Sequence, residues 1–318
     1  MSRSYNEKTC PLCGSSNILK TYPIDLDYAA EMAGRTVDDE FSVAQCQTCC
    51  HQFICPSPSS NFLEAFYSSY MSAAKSGFYE ARYSTSIPSS FRNYYGQWLD
   101  KVLFLRQGSS GNLLDIGSGL GMFLRLAREK GFHVAGIEPN AEAVEYLARE
   151  YDIAVSNSLL ENYIGTQQFD VVTMWDLLEH LADPRMALSK IKTILKPGGI
   201  MVLEIPVRDS ILHWAAKIAY SLTLGVVKRP LYLIYGVHHL QYFSEKSIIS
   251  FLAENGFETL DYVRSETDFE AVKRKPSVGL ASRVKVTLFN GAIASLLTLA
   301  RITGRRNKIV VFARNNSE

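Results

Sequence analysis

The sequence predicts an α/β protein with a parallel sheet, preceded by a small metal-binding module. Short apolar runs alternate with amphipathic helical patterns through the middle of the chain, which is typical of a parallel sheet covered by helices. A glycine-rich stretch, "LLDIGSGLGMFL" at 113–124, joins one such run to a helical pattern. All six cysteines lie between Cys10 and Cys55, a cluster that indicates metal binding rather than disulfides in a reducing compartment.

Length and composition narrow the class of protein. The 318 residues are 47% hydrophobic and 20% charged, as in a globular protein with a large core. The formal net charge is +1, so no global field points to nucleic acid. The amino terminus, "MSRSYNEKTCPLC", lacks the apolar stretch of a signal peptide, and we therefore expect a cytoplasmic protein.

The amino-terminal module, residues 1–57, contains two C-x-x-C pairs. Each pair supplies two thiolates at a fixed separation, and two pairs complete a tetrahedral structural Zn²⁺ site; the alternative is a redox-active thiol pair. The second pair resembles the second knuckle of zinc ribbons, with Cys50 where ribbons usually have glycine. Residues 10–56 contain two basic and six acidic residues, a net of −4 that would repel nucleic acid. The predicted metal ligands are Cys10, Cys13, Cys46 and Cys49.

Residues 58–108 connect this module to the α/β domain, which we assign to 109–318. They begin with an aromatic-rich segment, "FLEAFYSSYMSAAKSGFYEARY". Its aromatic side chains could stack on a ligand or pack as a helix on the main domain, and the sequence leaves both interpretations open.

The α/β domain predicts a regular succession of elements. We expect strands at about 112–116, 133–137, 153–156, 169–174 and 199–205. Helices are expected at about 120–130, 140–150 and 184–195. The "KPGG" at 196–199 predicts a helix stop and a turn before the fifth strand.

The glycine loop follows the first strand, at the carboxyl edge where parallel sheets bind ligands. A dinucleotide fingerprint, G-x-G-x-x-G, would require glycine at the position of Met122. Glu138 ends the second strand, where a carboxylate can accept both hydroxyls of a ribose. These features indicate a nucleoside site whose loop approaches an uncharged or zwitterionic tail.

Four segments in this order resemble class I S-adenosylmethionine-dependent methyltransferases: "LLDIGSGLGMFL", "VAGIEPN", "FDVVTMWDLLEHLADP" and "LKPGGIMVLEIP". The resemblance covers about 110–262 and implies a Rossmann-like seven-stranded sheet with helices on both faces. It also implies S-adenosylmethionine as cofactor, with the methionine part, the ribose, the adenine and the reacting end contacted in turn along the sheet edge. The implied cofactor residues are Asp115, Gly117, Gly119, Gly121, Glu138, Asn157, Ser158, Leu159, Met174 and Trp175.

Candidate catalytic residues come from two further segments. "WDLLEHLADP" contains Asp176 and the Glu179–His180 pair, which related enzymes keep beside the cofactor. "YGVHHLQYFS" resembles a second recurring segment, in which His239 is a base or a substrate contact. The alternative is structural, since Ser244 is a good N-cap for the following helix. We predict His180, His239 and Asp176 as the catalytic residues.

Two apolar segments, at about 207–237 and 279–304, exceed what the fold requires. Neither has 18 uninterrupted apolar residues, which argues against a transmembrane helix. Residues 273–308 contain nine Lys or Arg and no acid, and 210–240 contain three and no acid. Such helices suit the surface of an anionic membrane, and the alternative is a lid or a homodimer surface.

The sequence therefore predicts methyl transfer to a small-molecule acceptor. The added zinc ribbon resembles enzymes of bacterial sugar and polysaccharide pathways, which favours a hydroxyl of a sugar or glycan. O-methylation of a quinone, phenolic or lipid-linked acceptor is the alternative. A non-catalytic cofactor-binding module is a third interpretation, and nucleic acid is not an expected partner.

Overall fold

The computed structural model describes residues 9–25, 41–59, 62, 86–236, 238–269, 273 and 280–316. Apart from Phe62, the aromatic-rich segment at 62–83 lies outside the described residues. The described chain forms eleven strands: β1 (Ile18–Pro23), β2 (Ser42–Cys46), β3 (Gln52–Cys55), β4 (Asn112–Ile116), β5 (His133–Ile137), β6 (Ala154–Ser156), β7 (Phe169–Trp175), β8 (Leu195–Pro206), β9 (Gln241–Tyr242), β10 (Phe257–Ser265) and β11 (Lys308–Asn315).

The described residues also form eight α-helices: α1 (Ser89–Leu105), α2 (Met122–Glu129), α3 (Ala141–Tyr151), α4 (Pro184–Ile194), α5 (Ile211–Leu222), α6 (Arg229–Tyr232), α7 (Glu245–Glu254) and α8 (Leu280–Thr303). Their starts follow ordinary capping chemistry. Asn140, Asp183 and Ser210 each accept a hydrogen bond from a backbone N–H of the first turn of α3, α4 and α5. The Ser244 side chain caps α7 in the same way, as the sequence predicts.

A seven-stranded sheet positions the functional residues. Its order is β10-β11-β8-β7-β4-β5-β6, and β11 alone runs antiparallel to its neighbours. The central strands are buried apolar runs because helices cover both faces of the sheet. The seven-stranded α/β prediction is confirmed, and the five strands expected between 112 and 206 are present.

The start of β8 differs from the prediction. The turn expected at "KPGG" is instead part of the strand, which begins at Leu195. Phe169 of β7 pairs with Leu195, whereas Val171 pairs with Ile200, so the register shifts between these pairs. The "KPGG" residues at 196–199 therefore form an irregularity within the strand and not a separate turn.

The cysteine-rich module forms a second sheet, in the order β1-β2-β3-β9. Its last strand, β9, comes from the α/β domain and pairs with β3. Buried side chains join the two parts: His51 Nε2 lies 3.0 Å from Gln241 Oε1, and the Tyr235 hydroxyl donates to Gln52 Oε1 at 2.9 Å. The sequence does not predict this shared strand, which attaches the module to the segment just after His239.

The two apolar segments form α5, α6 and α8, and α8 packs against α5. The stretch Arg283–Thr303 of α8 has a mean hydropathy of 1.4 and is long and apolar enough to cross a membrane by length and composition. Only 11% of it is buried, so it is not a core helix. The sequence criterion of 18 uninterrupted apolar residues therefore underestimated the hydrophobicity of this segment. Its small polar residues interrupt the apolar run but barely lower its mean hydropathy.

Candidate active site at the carboxyl edge of the sheet

The glycine loop leaves open space where a ligand would lie. Gly119 has φ +51°, and a Cβ built there meets nothing within 4 Å. Gly121 has φ +67° and precedes α2; a Cβ there would lie 2.3 Å from a methyl carbon of Leu147. Gly119 therefore keeps a cradle open, whereas packing inside the domain requires Gly121 to be glycine.

Glu138 holds the loop and faces the same space. One carboxylate oxygen accepts the Gly119 N–H at 2.8 Å, and the other accepts the Asn140 N–H at 3.0 Å. A carboxylate has about four acceptor positions, so roughly two remain for the hydroxyls of a ribose. Burial raises the pKa of Glu138, and the two backbone donors oppose this shift.

Asp115 lies beneath the loop and is 2% exposed. The Thr173 hydroxyl donates to its Oδ1 at 2.6 Å. Burial raises the pKa of Asp115 to about 7, the Thr173 hydrogen bond opposes the shift, and the charge of Glu138 adds to it. Its buried carboxyl supports the loop from below, at the end of β4.

The residues predicted to flank the adenine have different surroundings. Asn157 donates from Nδ2 to the carbonyl oxygens of Glu138 and Pro139, at 3.2 and 2.9 Å, and so holds the end of β5. The Ser158 hydroxyl lies 3.2 Å from that of Ser156. Leu159 is 47% exposed and is the one apolar surface of the three available to a ring.

Met174 and Trp175, predicted to lie at the methionine end of the cofactor, have side chains on opposite faces of β7. Met174 is fully buried in the core under the sheet, because alternate residues of β7 face opposite sides. Trp175 packs against Tyr95 of α1 and Phe123 of α2, with ring centroids 4.8 and 4.9 Å apart. Both side chains pack within the domain, and a contact between the end of β7 and the cofactor stays a prediction.

The predicted catalytic residues His180 and His239 lie together with Glu179 beside the end of β7. Donor atoms of Glu179, His180 and His239 all lie within 4.8 Å of one another. His180 Nδ1 lies 2.7 Å from the carbonyl oxygen of His238, and since a carbonyl only accepts, Nδ1 is the protonated nitrogen. Burial lowers the pKa of His180, so near neutral pH its Nε2 is unprotonated.

Glu179 is the most unusual member of this group. Its side chain is fully buried, and neither carboxyl oxygen has a hydrogen-bond partner among the described residues. One oxygen lies 3.9 Å from His180 Nε2. Burial, with a smaller contribution from Asp176, raises the pKa of Glu179 well above its usual value, which favours a neutral carboxyl beside a neutral imidazole.

Asp176 belongs to a charged network that sequence reasoning missed. Lys308 Nζ lies 2.5 Å from Asp176 Oδ2 and 3.4 Å from Glu204 Oε1. The Tyr94 hydroxyl donates to Glu204 at 2.5 Å. Burial opposes the charge of Lys308, but the two carboxylates outweigh it and raise the pKa of Lys308. Asp176 is therefore fixed by an ion pair at the carboxyl edge of the sheet.

One signal for this network was present in the sequence. Glu204 is an acid in the apolar run "GGIMVLEIP", and a charge in a buried strand is rare unless it is paired. Lys308 opens the antiparallel strand β11 and pairs in register with Pro206, the last residue of β8. The first residue of a reversed strand lies at the carboxyl edge of its parallel neighbours, which brings Lys308 to the site.

The four predicted metal ligands are brought together in the amino-terminal module. The Sγ atoms of Cys10 and Cys49 are 3.6 Å apart, and those of Cys13 and Cys46 are 3.5 Å apart. A Zn–S distance of about 2.3 Å implies sulfur–sulfur distances of roughly 3.8 Å in a tetrahedral site. The four sulfurs therefore fit zinc if they move slightly apart. Cys50 has φ +60°, which explains why zinc ribbons usually have glycine there.

Comparison with known proteins agrees with this geometry. A family model described as a methyltransferase domain matches residues 90–262, more than half of the chain. The chain belongs to the class I S-adenosylmethionine-dependent methyltransferases. The matched residues run from α1 into β10 and include the glycine loop, Glu138 and the His180 group.

Relatives of this methyltransferase include enzymes of quinone biosynthesis. A ubiquinone biosynthesis O-methyltransferase from Pseudomonas aeruginosa strain UCBPP-PA14 is 29% identical over 178 residues, which is 52% of this chain and 71% of the relative. Its counterpart from Haemophilus ducreyi is 31% identical over 106 residues, 29% of this chain and 44% of the relative. This methyltransferase thus matches less than half the length of the second relative.

A solved structure is similar in fold over most of the chain. It is the 1,6-didemethyltoxoflavin-N1-methyltransferase of Burkholderia thailandensis with bound 1,6-didemethyltoxoflavin and S-adenosylhomocysteine. It covers 89% of this chain and 99% of its own, with a TM-score of 0.50 and 14% identity. Because the sequence identity is only 14%, this similarity establishes the fold alone.

Replacing Glu138 with alanine is expected to weaken binding of S-adenosylhomocysteine by about 1–3 kcal/mol, the range for losing hydrogen bonds to a charged group. Glu138→Gln keeps one acceptor and should have a smaller effect. Isothermal titration calorimetry measures both, with the exposed Glu145→Ala of α3 as a control. An unchanged affinity in Glu138→Ala would refute the ribose assignment.

Proposed function

We propose that this protein transfers the methyl group of S-adenosylmethionine to a hydroxyl oxygen of a small-molecule acceptor. The observation that carries this proposal is a neutral imidazole of defined tautomer, His180, at the same sheet edge as the open glycine loop. Transfer to a hydroxyl requires removal of its proton, and a neutral imidazole can accept that proton.

The residues of this edge fit the cofactor. The open space beside Gly119 accommodates the amino-acid tail, Glu138 has acceptor positions for the ribose, and Leu159 offers an apolar contact to the adenine. The bound cofactor supplies a sulfonium-activated methyl group. The protein itself contributes orientation, exclusion of water and a place for the proton.

His180 is assigned as the general base. The carbonyl of His238 fixes the Nδ1 proton, so Nε2 accepts the proton of the acceptor hydroxyl as the oxygen–methyl bond forms. The sulfur of a bound S-adenosylmethionine would be the leaving group and would keep the electron pair of the broken carbon–sulfur bond. His239, whose ring centroid is 4.8 Å from that of His180, borders the same space and is assigned to substrate contact.

A phenolic hydroxyl is the favoured acceptor. Burial lowers the pKa of His180 and makes it a weak base, so an acidic hydroxyl is the better match. A phenol, with a pKa of about 10 as in tyrosine, releases its proton more readily than a sugar alcohol. The names of the relatives from Pseudomonas and Haemophilus support the same choice. We therefore favour a quinone-type or other phenolic acceptor over the sugar hydroxyl that the zinc ribbon favours.

Transfer of label from methyl-labelled S-adenosylmethionine tests the proposal. The purified, zinc-loaded protein would be incubated separately with soluble catechols, nucleotide sugars and extracted cellular lipids. Label in the catechol or lipid fraction supports a phenolic acceptor, and label in nucleotide sugars supports a sugar hydroxyl. No label in any fraction, with S-adenosylhomocysteine still bound by calorimetry, favours a non-catalytic cofactor-binding protein.

We further propose that Cys10, Cys13, Cys46 and Cys49 hold a structural Zn²⁺ ion. Plasma emission spectrometry should find about one zinc per chain, and the Cys46→Ser variant should lose most of it. Cys50→Ser is the matched control, because this exposed cysteine lies outside the cluster. Equal zinc in Cys46→Ser and the parent protein would contradict the assignment.

A further inference from the structure

The end of α5 and the loop after it expose an apolar tip, which we define as residues 222–227. Leu222, Leu224 and Val226 are 80%, 94% and 81% exposed. Leu224 also has φ +48°, a left-handed conformation that costs a leucine free energy and is usually left to glycine or asparagine. A strained turn that projects leucine into water indicates that something covers the tip.

α8 adds an apolar stripe to the same helical region. Its inward face includes the buried Leu297 and Ala300, whereas Leu288, Leu299 and Ile302 are 69%, 41% and 78% exposed. The exposed positions recur at the spacing of one helix face. The stripe is mainly apolar rather than polar, which is unusual for the outer face of a helix in water.

The two helical segments themselves carry charges of one sign. Segments 211–235 and 280–306 contain no Asp or Glu. The exposed basic residues Lys228, Arg229, Arg283 and Lys285 lie in these segments, and none has an acidic partner among the described residues. A basic, apolar surface complements an anionic bilayer, which attracts about 1 kcal/mol per Lys or Arg near its surface.

The chain path favours a helix lying in the membrane surface over one that crosses it. Ser265, which ends β10, pairs with Lys308, which starts β11, so the connection containing α8 begins and ends at one place. If α8 crossed a bilayer, residues 266–279 would have to cross it as well. That segment contains six charged residues, Glu266, Asp268, Glu270, Lys273, Arg274 and Lys275, which are costly in hydrocarbon.

Both helices leave the sheet at the edge that carries the active site. α5 begins shortly after Pro206, the end of β8, and α8 ends shortly before Lys308. The Ile211 N–H also donates to the Arg305 carbonyl at 3.1 Å, which joins the two connections. A bilayer on this surface would therefore lie on the active-site side of the sheet.

We propose that the tip, α6 and the outer stripe of α8 form a docking surface for an anionic lipid bilayer. The apolar side chains enter the interfacial layer, and the four basic residues face the headgroups. This surface is separate from the methyl-transfer chemistry, so binding can be tested with no substrate or cofactor present.

Flotation of the full-length protein with vesicles tests the proposal. Protein should float with vesicles of phosphatidylcholine and phosphatidylglycerol at low salt, much less with phosphatidylcholine alone, and less again at high salt. Lys228→Gln/Arg229→Gln removes two charges and should weaken binding roughly 25-fold, since about 1 kcal/mol per charge is a factor of about five.

A second variant tests the apolar contribution. Leu222→Ser/Leu224→Ser/Val226→Ser should abolish flotation while leaving the thermal melting curve close to that of the parent, because all three side chains are exposed. The matched control is Phe104→Ser/Ile164→Ser, which removes two side chains that are 75% and 92% exposed elsewhere on the molecule and should float normally.

Three results would overturn the proposal. The first is protein that stays at the bottom of the gradient with anionic vesicles at low salt. The second is flotation that resists high salt and alkaline carbonate, which would indicate a membrane-crossing helix. The third is concentration-dependent dimerisation in the absence of lipid that the tip variant abolishes, which would make this surface an interface with a second copy.

Discussion

Replacing His180 with glutamine is expected to lower kcat by roughly 10²–10⁴, the usual contribution of a general base. The His238 carbonyl holds Nδ1, so only the acceptor function of Nε2 is lost while the local turn keeps a hydrogen-bonding side chain. Affinity for S-adenosylhomocysteine should stay unchanged, because Glu138 and the Gly119 loop are separate from this turn. Single-turnover kinetics with the acceptor found by labelling measure the effect.

The pH dependence distinguishes a base from a structural histidine. Only neutral His180 accepts a proton, and burial lowers its pKa below the usual value near 6.5, so kcat should stay level near neutral pH and fall only on further acidification. This acidic limb should disappear in His180→Gln and persist in His133→Gln, which changes an exposed histidine of β5. Loss of turnover in His239→Gln but not in His180→Gln would move the role of base to His239.

Local patterns predicted the elements that depend on local chemistry. The strands β4, β5 and β7 begin and end within one residue of their predicted limits, because each is an apolar run bounded by glycine, proline or polar residues. The position of Glu138 at a strand end beside the glycine loop was also predicted, whereas its role as a ribose contact stays a prediction. The cysteine pairs likewise predicted a four-thiol cluster, because each pair fixes two ligands locally.

Features that join distant segments could not be read from the sequence in the same way. The pairing of β9 with β3 connects residues almost 200 positions apart, and a two-residue strand has no periodicity to detect. The motif gave the position of Met174 along β7 but not the face on which its buried side chain lies, because that face is set by the alternation of side chains. Asp176 was identified without its partner, because Lys308 approaches only through the reversed strand β11.

Replacing Lys308 with methionine is expected to lower the free energy of unfolding by about 3–5 kcal/mol, as when one partner of a buried ion pair is removed. Lys308 is the cation between Asp176 and Glu204, and the Glu204 side chain is fully buried. Asp176 is 41% exposed and can be solvated by water, so most of the loss comes from Glu204. Urea unfolding of the cofactor-free protein measures the difference.

The loss should grow with pH. Burial already raises the pKa of Glu204, Lys308 opposes this shift, and its removal raises the pKa further. The native variant then holds a proton that the unfolded chain, with a glutamate pKa near 4.3, has released, so its stability falls as pH rises toward the new native pKa. Lys308→Met/Glu204→Gln should recover most of the loss, because it leaves no buried carboxylate. If the double variant were no more stable than Lys308→Met, the ion pair would not be the cause, and lost packing of the lysine stem would explain the result.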